Sequence, residues 1–495
     1  MGSPRLYLAR SAKERDALAY RSRKGELRRL APRVYIAADV DNIDALLRAQ
    51  LAPLLEFLYP GHVLAYRNAL SLLPESSHVY LITPKPNARN VRVGPLTIHL
   101  LPGAVDTGTE QVLPRLKRMT EVRVLLESEA GQKARRGREK FLRPDEIEAI
   151  LVKRLAQGKE RGLNALRDEA RACADAFGQA DAFAALNAKI SALLATGDAG
   201  GVLHSSAGHA HAAREPFDGA CLARCERFAE YLQRQFFAPL PFVYERSAWR
   251  NLAFFEAYFS NYIEGTEMTV EEAQQVVFEH RDLAQRSGDS HDVRGSWEIC
   301  ADLEEMSHVP QDASAFLSLL RSRHKVLLRG RPATRPGEFK HTANRAGNTP
   351  FVAPECVAGT LTRGFEICQA AAPGFTRALL LHFLITDVHP MQDGNGRLAH
   401  VLMNAELVAT GQHKIIVPNV AREDYLNGQR RASRAGDFRT ATKVLYQLHH
   451  YTAALPATLY DELLERLERD GAFSTPDEGV ATFNAVRRAH RYDER

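Results

Sequence analysis

Apolar positions along this chain recur at two different spacings, and the change of spacing divides it. In the first part, alternating runs at Val79 to Ile82, Val91 to Val93 and Leu96 to Leu100, punctuated by Pro84, Pro86, Gly94 and Pro95, predict strands. Helical periodicity follows from about Arg143 to Leu194. Ahead of the strands, Ser11 and Glu14 form a capping box that opens a helix, and Gly25 stops it. Glu26 to Leu30 then reads as a second short helix and Val34 to Ile36 as a strand. Beyond residue 217 the helical spacing dominates: Leu222 to Gln235, Ser247 to Glu264, Thr269 to Ala284, Ala315 to Leu328, Phe375 to Val388 and Gly396 to Ala409. One irregular stretch rich in Pro, Gly and Asn, Gly330 to Thr360, interrupts it. The fold class expected is multidomain, an α+β N-terminal region followed by a mainly α-helical domain.

Between the two patterns, Gly197 to Pro216 is rich in Gly, Ala, Ser and His with almost no periodic apolar residue, and reads as a linker. A length of 495 residues agrees with two to four domains. The longest apolar run, Ala378 to Ile385, is far short of the roughly 18 to 20 residues of a membrane span. With no apolar core near Met1 for a signal peptide, a cytoplasmic protein without membrane contact is expected. Six cysteines are too few for a disulfide framework, and Cys221 and Cys225 read as small core residues. Charge is uneven. Residues 1–35 hold ten Lys or Arg against three acids, a net of +7, so the remaining 460 residues carry −2 of the overall +5. A basic head of this kind suits either a solubilising arm or a polyanion such as DNA, bound through residues 1–40.

The segment richest in chemistry is Val388 to His400, V-H-P-M-Q-D-G-N-G-R-L-A-H. The apolar helix before it must stop at Pro390, and a new helix starts after an Asp-Gly-Asn-Gly loop. Free N–H groups and the positive end of a helix dipole then face one spot, which suits a phosphate. His389 titrates near neutral pH, Asp393 offers oxygen to a hard cation such as Mg²⁺, and Arg397 adds a fixed positive charge. Arg397 at the third ligand position excludes a calcium loop, and the absence of Gly-Lys-Ser/Thr excludes a Walker loop.

This segment resembles the Fic family motif, His-Pro-Phe-x-Asp/Glu-Gly-Asn-Gly-Arg-x-x-Arg, over a region of about residues 218 to 455. Arg335 to Lys340 and Arg345 to Pro354 agree with it, the latter as the family's flap hairpin. The resemblance implies transfer of AMP from Mg-ATP to a Ser, Thr or Tyr hydroxyl of a target protein. It implies His389 as base, Asp393 as Mg²⁺ ligand, and Gly394, Asn395, Gly396, Arg397, His400 and Tyr425 around the nucleotide. It also implies a flap at Asn348, Thr349 and Phe351 that holds the target by strand addition. Two positions depart from the motif: Met391 replaces its phenylalanine, and His400 its second arginine, which grips the terminal phosphate.

Ser260, Glu264 and Gly265 match the family's inhibitory pattern Ser/Thr-x-x-x-Glu-Gly/Asn on a helix spanning 247–265. There the Glu pairs with the second motif arginine. With His400 in that place, the expected pair forms only when the imidazole is protonated.

A second resemblance covers about residues 11 to 195. RKGELRRLAPRVYIA, YPGHVLAYRNAL, HVYLIT, VGPLTIHLLPG and LNALRDEAR are similar to successive blocks of AbiEi-type antitoxins, which carry a DNA-binding winged helix and oppose a toxin. The helix, glycine turn, basic residues and strand at the start match the back half of such a winged helix.

The expected domains are thus 1–40, a truncated winged helix; 41–196, AbiEi-like; 197–216, linker; 217–455, Fic; and 456–495, a helical tail. Three functions stay open: an autoinhibited adenylyltransferase related to toxin–antitoxin systems, a DNA-binding regulator whose Fic domain is weakly active or inactive, and a Fic transferase using another nucleotide. A homo-oligomer is equally open.

Overall fold

The computed structural model describes residues 6–132, 137–197, 199–347 and 349–488. The chain divides into two units, Met1–Arg214 and Glu215–Arg495.

In the first unit a six-stranded sheet has the order Arg89–Val93, Leu96–Pro102, His78–Thr83, Val63–Leu64, Leu116–Met119, Thr109–Leu113, mixing parallel and antiparallel pairs. Side chains alternate across a strand, so His78–Thr83 feeds two cores at once. Val79 and Leu81 pack with the helices Ile43–Ala49 and Leu51–Leu58 on one face. Tyr80 and Ile82 pack with the helices Glu121–Gly131, Pro144–Phe177 and Ala180–Leu193 on the other.

Two expectations for this unit are corrected. Glu26 to Leu30 is not a helix: Leu27–Ala31 is a strand paired with Val34–Ala37, which in turn pairs with Leu6–Leu8. Leu27 and Ala31 turn inward and Arg28 and Arg29 stay exposed, with a register shift between Arg29 and Ala31, and pairing with Val34–Ala37 is what makes the segment a strand. The Gly197 to Pro216 stretch is not an open linker either. Most of it folds onto the first unit, because buried Glu148 gathers the N–H groups of His204 (2.7 Å) and Ser205 (2.8 Å) and the Ser205 hydroxyl. Ser205 then caps a short helix, Ser206–Ala212, and Leu203 and Ala210 are buried. The boundary between the units falls at residues 214 and 215, inside that stretch.

The second unit is helical around one apolar core. Two helices, Phe375–Val388 and Asn395–Ala409, pack against each other at its centre with hardly an exposed residue between them. Arg246–Ile263, Ser287–Ala301, Ala313–Leu327 and Val357–Ala370 surround them, and Arg422–Ala435 and Arg439–Ala453 follow. A hairpin pairs Arg345–Ala346 with Thr349–Pro350. Past residue 456, Tyr460–Arg469 and Pro476–Arg488 bury Leu463, Leu467 and Phe483 in the same core. Among the described residues no helix is long and apolar enough to cross a membrane.

Candidate active site

The site is a turn between the two central helices. Pro390 ends the first helix, and His389 caps it in a left-handed conformation (φ 53°), its N–H donating to Ile385 O. Asn395 closes the loop that follows: its side-chain oxygen accepts from Met391 N–H (2.8 Å) and its amide donates to Met391 O (3.0 Å). Met391 is fully buried in the place of the motif phenylalanine. Gly394 is left-handed (φ 73°), so the loop requires glycine there. His324, which sequence reasoning missed, holds the loop from below. Gly337 N–H donates to its Nδ1 (2.9 Å), so its Nε2 carries the hydrogen and donates to Asp393 O (3.0 Å).

The His389 ring lies flat on Phe351, with centroids 3.8 Å apart and planes 4° apart. Its Nδ1 faces the Thr386 carbonyl at 3.5 Å, which leaves Nε2 as the proton acceptor. Burial lowers its pKa to about 4; the Thr386 carbonyl and Asp393 pull it up, and Lys340 pulls it down. His389, Phe351, Gly396, Tyr425 and Glu264 line a single cavity of about 350 Å³.

Of the expected flap residues, Phe351 covers the imidazole, while Asn348 lies outside the described residues. Thr349 pairs through its backbone with Ala346.

Arg397 is buried behind the cavity wall. It donates to Asp292 (2.6 Å) and to Asn261 of the Arg246–Ile263 helix (3.1 Å). Asp292 is itself 1% exposed and also accepts from Arg331 Nε (2.6 Å). Replacing Asp292 with alanine leaves the buried Arg397 guanidinium without its paired anion, while Arg331 keeps Asp289 (2.6 Å). Stability is expected to fall by about 3 kcal/mol or more in denaturant unfolding, while Asp289→Ala, on the exposed end of the same ladder, costs far less.

Glu264 follows the last turn of the Arg246–Ile263 helix, with Gly265 left-handed after it (φ 97°). The residue keeps solvent access, but its carboxyl reaches into the recess over the loop. A Cβ built on Gly396 would stand 2.0 Å from its Oε1. Desolvation raises its pKa, Arg397 opposes that, Asp393 adds to it, and Arg422 opposes it again.

The expected Glu264–His400 pair is not formed. His400 is held at both nitrogens, by the Ser260 hydroxyl (2.8 Å) and the Tyr425 hydroxyl (3.0 Å), and Tyr425 also meets His382 Nε2 (2.7 Å). Burial lowers the His400 pKa to about 4, so the ring is neutral at pH 7 and has no charge to offer a carboxylate. Of the matched residues, Ser260 thus meets His400 and Glu264 lies over Gly396, while Asn261, outside the pattern, takes Arg397.

The donor set fits Mg²⁺. One Asp393 oxygen accepts from Gly394 N–H (2.8 Å), and the rest of this exposed carboxylate is free for a cation. Mg²⁺ is usually held by one or two carboxylates together with substrate phosphates and water, and among the described residues no cluster of three or more His, Cys, Asp or Glu forms a full protein cage. The first turn after Gly394 offers unpaired N–H groups to an anion, in the place that Glu264 now crowds.

A profile of the Fic/DOC family matches residues 314–407, from the Ala313–Leu327 helix to near the end of the second central helix. A protein named protein adenylyltransferase Fic from Drosophila grimshawi is 27% identical over 207 residues, 40% of this chain and 42% of that protein. A protein of the same name from Drosophila willistoni is 26% identical over 212 residues, 41% of this chain and 42% of its own length. The chain thus spans about 42% of the length of these curated relatives. A crystal structure of a Fic domain containing signaling protein from Bacteroides thetaiotaomicron aligns at 19% identity with a TM-score of 0.37, covering 48% of this chain and 95% of that one.

Proposed function

We propose that this chain, which carries a Fic/DOC domain at residues 314–407, is an adenylyltransferase that moves AMP from ATP to a hydroxyl of a target protein and is restrained by Glu264. The observation that carries this reading is the single cavity in which His389 Nε2, the N-terminal end of the motif helix and the Glu264 carboxyl meet.

The target hydroxyl loses its proton to His389 Nε2 while its oxygen attacks the α-phosphorus. The bond to the bridging oxygen breaks, and pyrophosphate leaves with the electron pair. The N–H groups at the start of the Asn395–Ala409 helix, with the helix dipole behind them, stabilise charge gathering on the phosphate oxygens. Arg397, its charge paired with Asp292 behind the cavity wall, braces the start of this helix. Asp393 would hold Mg²⁺, which would offset the negative charge of the departing pyrophosphate. Glu264 in its present place competes with phosphate for the loop. The names of the Drosophila proteins support adenylyl transfer. In the test, the full chain is incubated with labelled ATP and Mg²⁺, and the products are read by mass spectrometry. Addition of AMP to a Ser, Thr or Tyr is expected, and addition of any other group overturns the nucleotide assignment.

A second reading concerns the first unit. The Ala12–Arg23 helix buries none of its residues and exposes Lys13, Arg15 and Arg23, which favours contact with DNA through residues 1–40. A gel shift with the DNA upstream of its own gene is expected to weaken steeply as salt rises and to vanish without residues 1–40. A shift unchanged by that deletion removes this reading.

A further inference from the structure

Lys340 is 3% exposed, and among the described residues no carboxylate pairs with it. A buried ammonium without a counter-charge is costly, so its partners matter. Nζ donates to Val388 O (3.2 Å) and to the Asn344 side-chain oxygen (2.7 Å), while Lys340 N–H donates to Pro390 O (2.9 Å). Asn344 in turn donates to Met391 O (3.1 Å), and Phe351 N–H donates to Asn344 O (3.2 Å). Lys340 and Asn344 between them hold the carbonyls on both sides of His389, and the same Asn344 carries the start of the segment whose ring covers His389.

We propose that Lys340 is a positioning residue of this site, locking the strained His389 turn to the base of the flap hairpin and setting a positive charge beside the imidazole. This rests on the reading of His389 as base. His389 ends its helix as a left-handed cap whose N–H donates to Ile385 O (2.9 Å), a conformation costly for a side-chain-bearing residue, and Lys340 and Asn344 fix the carbonyls that flank it. Charge acts in the same sense as geometry. A cation beside His389 disfavours a second proton there and keeps Nε2 open to accept one.

The groups facing these two are few. Lys340 and Asp393 act on His389 with opposite signs. Cys221, from the Gly219–Gln233 helix, faces Lys340, and its own thiol is pushed upward by Cys225 and burial, so it stays uncharged. Nearby Asp387 is engaged by Arg224 (2.8 Å) and by the Ser433 hydroxyl. Burial lowers the Lys340 pKa to about 8, so the ammonium is in place at neutral pH.

The experiment is an NMR titration of the full chain labelled with ¹³C-histidine, with His389 identified by its loss in His389→Ala. In Lys340→Met the His389 midpoint is expected to rise by about 0.5 to 1 pH unit, since the cation that opposed protonation is gone. Lys340→Arg keeps the wild-type midpoint. In the transfer assay, Lys340→Met lowers kcat with little change in KM for ATP, and Arg restores it. An unchanged midpoint in folded Lys340→Met overturns the proposal. Should that variant not fold, Asn344→Asp neutralises the ammonium in place. It must move the midpoint in the same direction, and no movement again overturns the proposal. Because the titration needs no turnover, it still decides the point if the chain transfers no AMP, which would count against the proposed function alone.

Discussion

Replacing His389 with alanine or asparagine is expected to cut AMP transfer by about 10²- to 10⁴-fold, measured as label incorporated from saturating ATP. Asparagine is the sharper test. It adopts the left-handed conformation of residue 389 more readily than alanine does, so a loss of rate cannot be laid to a disordered turn. Equal labelling by wild type and the asparagine variant would sink the assignment. The pH dependence follows from the same burial. An imidazole with a pKa of about 4 stays free of its second proton as pH falls through the ordinary value of 6.5, and takes it only near 4. Transfer should therefore hold its rate from pH 7 to about 5, where an ordinary histidine would be almost wholly protonated. The same shift makes His389 a weaker base, so its placement against the substrate hydroxyl must supply part of what basicity does not.

Glu264→Gly should act in the opposite direction, raising labelling about tenfold or more, and doing nothing when combined with His389→Ala. Each tenfold corresponds to about 1.4 kcal/mol of competition removed from the phosphate site. That is a modest demand on a carboxyl crowding the first turn of the motif helix, within 2.0 Å of where a Gly396 Cβ would stand. Glycine at residue 264 is structurally cheap, because the position already terminates its helix ahead of a left-handed glycine. Glu264→Gln separates occupancy from charge: it fills the same space without repelling phosphate, and should lie between wild type and glycine. No gain in either variant would remove the autoinhibition from the reading.

The parts of this molecule that local chemistry dictates were legible in the sequence. Proline and the apolar run set the Phe375–Val388 helix to the residue, and strand alternation placed Val79 and Leu81 opposite Tyr80 and Ile82. His389, Gly396, Tyr425, Phe351 and Glu264 were each named by the family resemblance, and they share one cavity. The supports behind them were not. Asp292 sits on Ser287–Ala301, a helix whose buried face includes Ser290, Asp292 and Ser296, so hydrophobic periodicity gave no sign of it. His324 lies in a recognised helix but gains its role only by facing a loop 69 residues away. Leu27 to Ala31 was misread because five residues after a glycine stop carry too little period to tell strand from helix. His400 was identified as a departure, yet its neutrality depends on burial that no spacing encodes.

The Tyr425 hydroxyl owns one hydrogen and stands between two ring nitrogens, His382 Nε2 at 2.7 Å and His400 Nε2 at 3.0 Å. It gives that hydrogen to one neighbour and must receive from the other. Whichever it chooses fixes the tautomer of His400, and with it whether Ser260 gives or receives. The row from residue 260 to residue 382 consequently has two senses and no intermediate. His382 Nδ1 finds no partner among the described residues, so one sense strands an N–H there and the other a bare lone pair. The helix ending in Glu264 and the wall bearing Tyr425 share this binary setting, and a reversal begun at either end rewrites the polarity at the other.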